Sequence, residues 1–328
     1  MQPQSRVPVI LLTGFLGSGK TTFLNRILKL EDFKNSLVIV NEFGSVPVDH
    51  LLVEQSAETI YELSNGCLCC NMRGELVETL ASLDLTQFDR IFIETTGIAD
   101  PLPVFQTLAL NPDISAKLQP SLILSVFDLA RGKTLIADHA EAQHQLAIAD
   151  QILLTKQDIG GSAEQALAFL RKMNANAKIC AAAEVRTLND LTSNTVPKEG
   201  QSNMAHSKSY RSAIMKFDRR LSSQDLLGML HMLVNQFGPQ LLRIKGFAGI
   251  EESENPVIVQ VSGSIVHDLE VSNVMSFGGH ATTELVAITK DLDPANVVSI
   301  FDGFCGNMAI DAADKDALLN NPLAIPGA

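Results

Sequence analysis

Val7-Pro-Val-Ile-Leu-Leu-Thr13 runs straight into Gly14-Phe-Leu-Gly-Ser-Gly19-Lys20-Thr21, and these fifteen residues decide the fold. The first seven form an apolar, partly β-branched run that suits a strand buried on both faces. The next eight match G-x-x-x-x-G-K-[ST], and helical spacing follows over Thr21–Leu30. Strand, glycine-rich turn and helix in that order are the setting a phosphate-binding loop requires. Glycines let the backbone wrap close to phosphate oxygens. The loop N–H groups and the helix N-terminus supply partial positive charge. Gly14, Gly17, Ser18, Gly19, Lys20, Thr21 and Thr22 are therefore read as the phosphate-binding set. Lys20 reaches the β- and γ-phosphates, and the Thr21 hydroxyl ligates Mg²⁺.

Further runs of the same kind follow at Ser36–Val40, Arg90–Glu94, Ser121–Phe127 and Gln151–Thr155. Amphipathic stretches lie between them at Arg73–Leu83, His139–Ala149 and Ser162–Met173. Alternation of this sort predicts an α/β fold with a doubly wound, mainly parallel sheet. The pattern fades near Ala183, and a Ser-, Asn-, Lys- and Gly-rich stretch follows. From Tyr210 a second pattern begins: strand to Phe217, helix Ser222–Phe237, strand Gln240–Phe247, strands Val257–Val261 and Glu284–Thr289, and a helix from Pro294. The expected organisation is a P-loop domain over 1–190, a linker over 191–209, a smaller α+β domain over 210–310 and a loosely held tail over 311–328.

Composition narrows the class. The chain of 328 residues is 46% hydrophobic, which excludes disorder as a description of the whole. Its net charge of −12 argues against a broad basic face for nucleic acid, and the absence of Trp argues against a base-stacking platform. No apolar run reaches the ~20 residues that span a bilayer. Arg6–Gly17 has the look of a signal peptide, but the phosphate loop is the better use of those residues. A cytoplasmic protein that binds neither nucleic acid nor membrane is expected.

Thr155-Lys156-Gln157-Asp158 closes a later strand and resembles the N-K-x-D pattern by which P-loop proteins choose guanine. The Asp158 carboxylate accepts from guanine N1–H and the exocyclic amine, donors that adenine lacks on that edge. Lys156 lays its alkyl stem along the base. Thr155 stands where the pattern has Asn. The plainer alternative is that Lys156 and Asp158 cap the next helix. Arg90-Ile-Phe-Ile-Glu94-Thr-Thr-Gly97 is a strand ending in a carboxylate. An acidic residue there holds Mg²⁺, often through water, and Gly97 presents a backbone N–H to the γ-phosphate. Asn41-Glu42-Phe43-Gly44 follows the second strand, where a nucleotide-sensing loop sits, with Asp49 and His50 beyond. Each of these is more often a solvated loop residue than a ligand.

Gly66-Cys67-Leu68-Cys69-Cys70 holds three of the five cysteines. Adjacent cysteines rarely bridge without strain, so the cluster points to metal or redox work in a reducing compartment. In an extended loop Cys67 and Cys69 share a side and Cys70 faces the other. Two thiolates on one side suit a soft or borderline ion, and a turn after Cys69 would bring in the third. No second cluster completes a four-cysteine site, so remaining ligands are His, Asp, Glu or water. Such an open site fits transfer better than storage. Cys180 and Cys305 read as core. His139 and His144, five apart, do not share a helix face. The charges Lys216, Asp218, Arg219, Arg220 and Asp225 read as a solvated face.

Taken in order, Gly14–Thr22 (GFLGSGKTT), Asn41–Gly44 (NEFG), Gly66–Cys70 (GCLCC), Glu94–Pro101 (ETTGIADP) and Thr155–Asp158 (TKQD) resemble the CobW family of P-loop GTPases, regarded as metallochaperones. Arg243-Ile-Lys-Gly246 is similar to the start of that family's C-terminal domain. The resemblance implies GTP with Mg²⁺ and a transition metal, Zn²⁺ or Co²⁺. Cys67, Cys69 and Cys70 would bind the metal, with Glu42 at the matching position of a nearby loop. Hydrolysis would release the metal to a client metalloprotein. The chain lacks the His-rich stretch of many members. It also lacks some aromatic and Pro residues expected near Phe217–Leu221. No catalytic base or arginine finger stands out, so slow intrinsic hydrolysis is expected, quickened by client, metal or a second copy in a homodimer. Two other readings are a GTP-regulated thiol-redox switch and a small-molecule kinase. The kinase reading has no use for T-K-x-D.

Overall fold

Every second residue of the first strand faces a different core, which is why the run is apolar throughout. Val9 and Leu11 join one cluster while Ile10 and Leu12 join another, and all four are buried. The structure, a computed structural model, describes residues 6–41, 59–63, 71–160, 162–174, 177–192, 210–272 and 283–305. In the first part the elements are β1 (Val7–Thr13), α1 (Lys20–Ile27), β2 (Ser36–Asn41), β3 (Thr59–Leu63), α2 (Asn71–Ser82), β4 (Arg90–Glu94), α3 (Leu102–Leu110) and α4 (Pro112–Ser115). They continue with β5 (Leu118–Asp128), α5 (Gly132–Asp138), α6 (Ala140–Ala147), β6 (Gln151–Thr155), α7 (Ala163–Met173), β7 (Lys178–Ala181) and α8 (Leu188–Thr192).

The seven strands form one sheet in the order β3-β2-β4-β1-β5-β6-β7, and every pairing is parallel. The chain winds outward from β1 on one side, returns through β4, and leaves through β5 on the other. Ligands in such sheets bind beyond the carboxyl ends of the strands near that reversal. The loop after β1 and the end of β4 meet there. Leu12 and Val40 both pair with Glu94 in register. One face of the sheet is covered by α1 through Phe23, Leu24 and Ile27. The other is covered by α2 and α3 through Leu76, Leu80, Phe105 and Leu108.

The second part comprises β8 (Tyr210–Phe217), α9 (Ser223–Phe237), β9 (Leu241–Ala248), β10 (Val257–Ser262), β11 (Ile265–Val266), β12 (Glu270–Val271), β13 (Thr283–Lys290) and α10 (Pro294–Phe304). Its sheet is antiparallel, ordered β11-β10-β9-β13-β8, with β12 on β10. α9 and α10 cover one face through Leu226, Leu230, Leu233, Val297 and Phe301. From the other face Tyr210, Leu242 and Ile288 enter the core of the first part beside Phe105 and Ile148. The two parts therefore share buried apolar surface.

A buried ion cluster reinforces this junction. Arg243 Nη2 donates to both Asp150 oxygens at 2.7 Å, and Lys245 Nζ donates to Oδ1 at 2.8 Å. The Ile123 N–H donates to Asp150 Oδ2 at 2.8 Å. Burial opposes the charge on Asp150, but the two cations hold its carboxyl below the usual range. The similarity seen at Arg243–Gly246 thus falls on residues that fasten the second sheet to the first.

Several elements differ from expectation. β3 and β7 are short strands at the two ends of the sheet, one with Glu62 in its interior and the other half-buried. α3 buries Leu102, Val104, Phe105 and Leu108 and so lacks a clear polar stripe. α4, α5 and α8 are of four, seven and five residues, too short for a periodic signal. Cys180 is half-buried, packing against the core beneath α1 with its Sγ 2.9 Å from Gln151 Nε2; Cys305 is buried. Arg219 and Arg220 are not simply solvated. Arg219 lies over the Phe217 ring and donates to the Cys305 carbonyl at 2.9 Å. Arg220 donates to the Ile250 carbonyl at 3.2 Å. Most of the linker (193–209) and the tail 311–328 lie outside the described residues.

Candidate functional site

The loop after β1 owes its shape to three glycines with positive φ: Gly14 at 138°, Gly17 at 70° and Gly19 at 95°. L side chains rarely adopt these values. At Gly14 space forbids a side chain as well, since a Cβ would stand 2.4 Å from the Val126 carbonyl oxygen. Gly19 begins α1 with no side-chain cap and no acid in the first turn. The first helical N–H groups are thus left for an anion, which is the seat a phosphate needs. Lys20 is buried and its Nζ donates to the Gly14 carbonyl at 2.9 Å, so the ammonium lies over the mouth of the loop. Thr22 is exposed.

Glu94 ends β4 beside this seat and is 5% exposed. The Thr21 hydroxyl donates to Glu94 Oε1 at 2.9 Å. A hydroxyl and a carboxylate side by side at the phosphate end are the oxygen donors that Mg²⁺ takes. After Glu94 the chain turns against the phosphate loop. A Cβ on Gly97 would lie 2.5 Å from the Leu16 nitrogen, so only glycine fits. The structure brings Lys20, Thr21, Glu94 and Gly97 together.

T-K-Q-D lies on the far side of the loop. The Thr155 hydroxyl is 2.6 Å from the Ser18 carbonyl and 3.1 Å from the Phe127 carbonyl. The residue that departs from the Asn of the pattern thus ties β6 to the phosphate loop. Lys156 adopts φ 57° and donates to the Gly17 carbonyl and to Asp128 Oδ2, both at 2.7 Å. Asp158 is exposed. α7 is capped by Ser162, whose oxygen accepts from the Gln165 N–H, so Lys156 and Asp158 are not its caps.

Sequence reasoning missed two residues here. Asp128 ends β5, is 3% exposed, and accepts from the Ala130 N–H at 2.8 Å as well as from Lys156. It holds the Lys156 stem in place. A carboxylate closing an apolar run was the available signal, the same that marked Glu94. Gln145, on α6, donates to the carbonyls of Gly97 and Ala99. Nothing local in the sequence marks it. Its neighbour His144 pairs with Asp100 at 3.2 Å and stacks on Tyr210, at 5.8 Å between ring centres. Burial opposes the Asp100 charge, but the His144 contact and the Leu102 N–H outweigh it and lower its pKa.

Glu42, Asp49, His50, Cys67, Cys69 and Cys70 lie outside the described residues. Among the described residues no three His, Cys, Asp or Glu side chains gather to hold a metal ion. No helix there is long and apolar enough to cross a membrane.

The family model for the CobW/HypB/UreG nucleotide-binding domain matches residues 8–181. The model for the cobalamin synthesis protein cobW C-terminal domain matches residues 210–305. The chain belongs to the CobW family. Among its relatives is the zinc chaperone YjiA of Escherichia coli strain K12, 32% identical over 273 residues, covering 77% of this chain and 85% of YjiA. Another is the zinc-regulated GTPase metalloprotein activator 1 of Schizosaccharomyces pombe, 37% identical over 186 residues, 53% of this chain and 45% of that protein. Among solved structures, the Zn(II)-bound YjiA GTPase from E. coli superposes with a TM-score of 0.67 at 25% identity, covering 92% of this CobW-family chain and 99% of that one.

Proposed function

We propose that this CobW-family protein is a GTP-hydrolysing zinc carrier. Binding of GTP would close a thiolate site at Cys67, Cys69 and Cys70, and hydrolysis would open it toward a client metalloprotein. The supporting observation is the register at the carboxyl edge of the sheet. Val40 and Leu12 both pair with Glu94, and Asn41 pairs with Leu63. The strand that leads into Glu42 therefore ends beside Glu94, and in sequence Cys67 comes four residues after Leu63, the partner of Asn41. A change at the phosphates has a short path to both. The relatives above, a zinc chaperone and a zinc-regulated GTPase metalloprotein activator, support the same reading.

The residues assign themselves roles. The N–H groups of the loop and of α1, with Lys20, hold the β- and γ-phosphates and meet charge that develops in transfer. Thr21 and Glu94 supply the oxygens for Mg²⁺, which when bound neutralises charge between the phosphates. The Gly97 N–H faces the γ-phosphate. Asp158 reads guanine, with Lys156 along its face and Thr155 joining strand to loop. Glu42 completes the metal ligands. Hydrolysis is slow without a partner, because among the described residues no side chain is placed as a base. Zn²⁺ is the first cargo to test and Co²⁺ the second. The working division is a GTPase unit over 1–190 and a client-facing unit over 210–310. A cytoplasmic setting suits a cysteine cluster that serves metal rather than disulfides, and a homodimer is one way to quicken turnover.

The test is a Zn²⁺ and Co²⁺ competition titration against a chelating probe in three states: nucleotide-free, Mg·GDP and Mg·GTP-analogue. Tighter binding with the analogue than with GDP, lost in Cys67→Ser/Cys69→Ser, is expected. If GTP tightens the metal, the metal tightens GTP by the same factor. Equal metal affinity in all three states overturns the carrier reading and leaves a GTPase with structural or redox-active cysteines.

A further inference from the structure

The segment after Glu94 is gripped from both sides. On one side Gly97 abuts the phosphate loop, with no room for a Cβ against the Leu16 backbone. On the other stands Gln145, 1% exposed, whose Nε2 donates to the Gly97 carbonyl at 3.2 Å and to the Ala99 carbonyl at 2.9 Å. Two carbonyl acceptors settle which end of the amide is nitrogen. They also use both of its protons, and so fix the two peptide planes that follow Gly97 and Ala99. Oε1 then points elsewhere, and it has no protein partner.

Oε1 belongs to a residue lining a cavity of about 20 Å³ behind the phosphate loop. Ser18, in the loop, and Ser125, on β5, line the same cavity. Both are buried, at 3% and 1% exposure, and their hydroxyls also lack protein partners. α6 has further ties to this region: His139, at its start, stacks on Phe15 of the loop, at 4.5 Å between ring centres, and His144 holds Asp100.

We propose that Gln145 is a positioning residue for GTP hydrolysis. Its two hydrogen bonds set the orientation of the Gly97 turn where that turn packs against the phosphate loop. It touches no substrate atom, and it acts through Gly97. This rests on the reading of Gly97 as the γ-phosphate contact. The consequence is selective. Gln145 matters for a nucleotide with a γ-phosphate and hardly at all for GDP.

The experiment compares Gln145→Met, which keeps length and apolar bulk but removes donor and acceptor, with the wild type and with Gly97→Ala. Affinities for Mg·GDP and a non-hydrolysable Mg·GTP analogue are measured by calorimetry, and kcat and KM for GTP by phosphate release. Two lost hydrogen bonds predict about tenfold weaker analogue binding. GDP binding is expected to change less than twofold, with kcat lowered. Equal weakening of both nucleotides, or no change in either, overturns the proposal and leaves a structural glutamine. If Gly97→Ala leaves the analogue-to-GDP ratio unchanged, the reading of Gly97 itself fails. If Gly97→Ala lowers the ratio and Gln145→Met does not, only the role of Gln145 fails. Gln145→Asn, too short to reach both carbonyls, is the second variant should the methionine not fold, with the same outcomes deciding.

Discussion

Asp150→Ala removes one carboxylate from the junction between the two sheets, and the cost follows from what it leaves behind. Arg243 is 4% exposed at its side chain and both of its bonds to Asp150 are 2.7 Å long. Without Asp150 the guanidinium stays buried with no counter-charge. Breaking a buried pair in this way costs about 3–5 kcal/mol. Lys245 is 28% exposed and turns to water, so it adds little. The Ile123 N–H loses its acceptor, worth about 1 kcal/mol or more. A loss of about 4–5 kcal/mol in equilibrium urea unfolding is expected. Asp150→Leu combined with Arg243→Met and Lys245→Met removes every charge together, and is expected within about 1–2 kcal/mol of wild type. The pH dependence has a fixed sign. The folded carboxyl titrates below its unfolded value of about 3.9. Its contribution is therefore present above that value and lost as pH falls through the lowered folded pKa. The gap between wild type and Asp150→Asn holds from pH 7 to about 5 and narrows below about 4. A loss under about 1 kcal/mol for Asp150→Ala, or a triple variant no better than the single, refutes the junction as described.

Three other outcomes are expected. Lys20→Met removes the buried ammonium at the loop mouth and lowers kcat for GTP at least about 100-fold in a phosphate-release assay. Asp158→Asn exchanges a carboxylate acceptor for an amide donor, so GTP affinity falls about 100-fold while xanthosine triphosphate, with a carbonyl in place of the amine, binds better. Competition calorimetry reads both, and unchanged preference places the base elsewhere. Gly14→Ala puts a Cβ 2.4 Å from the Val126 carbonyl at φ 138°. It is expected to lose about 2 kcal/mol of stability in thermal unfolding, together with nucleotide binding.

Much of the site is legible in the sequence because its chemistry is local. The phosphate loop, the Glu94 strand end and T-K-Q-D are each carried by residues within eight positions of one another, so spacing alone reveals them. The central strands are legible for a similar reason. Val9–Leu12 and Ile91–Ile93 are buried on both faces, and continuous apolar runs admit few other uses. The failures have physical causes as well. β3 and β7 are short strands at the sheet ends, and α3 is covered by the second domain, so neither two-fold nor 3.6-fold patterning marks them.

The sequence by itself determined a P-loop α/β domain with a second domain after it, and named Lys20, Thr21, Glu94 and Gly97, which the fold brings together. Only the tertiary structure decided how those side chains are held. Asp128 meets Lys156 28 positions away, Gln145 meets Gly97 across 48, and Asp150 meets Arg243 across 93. None of these partners has a fixed spacing, because each is set by strand order and helix packing. A polar residue in a helix reads the same whether it faces water or clamps a buried carbonyl. The fold makes the difference by removing the water.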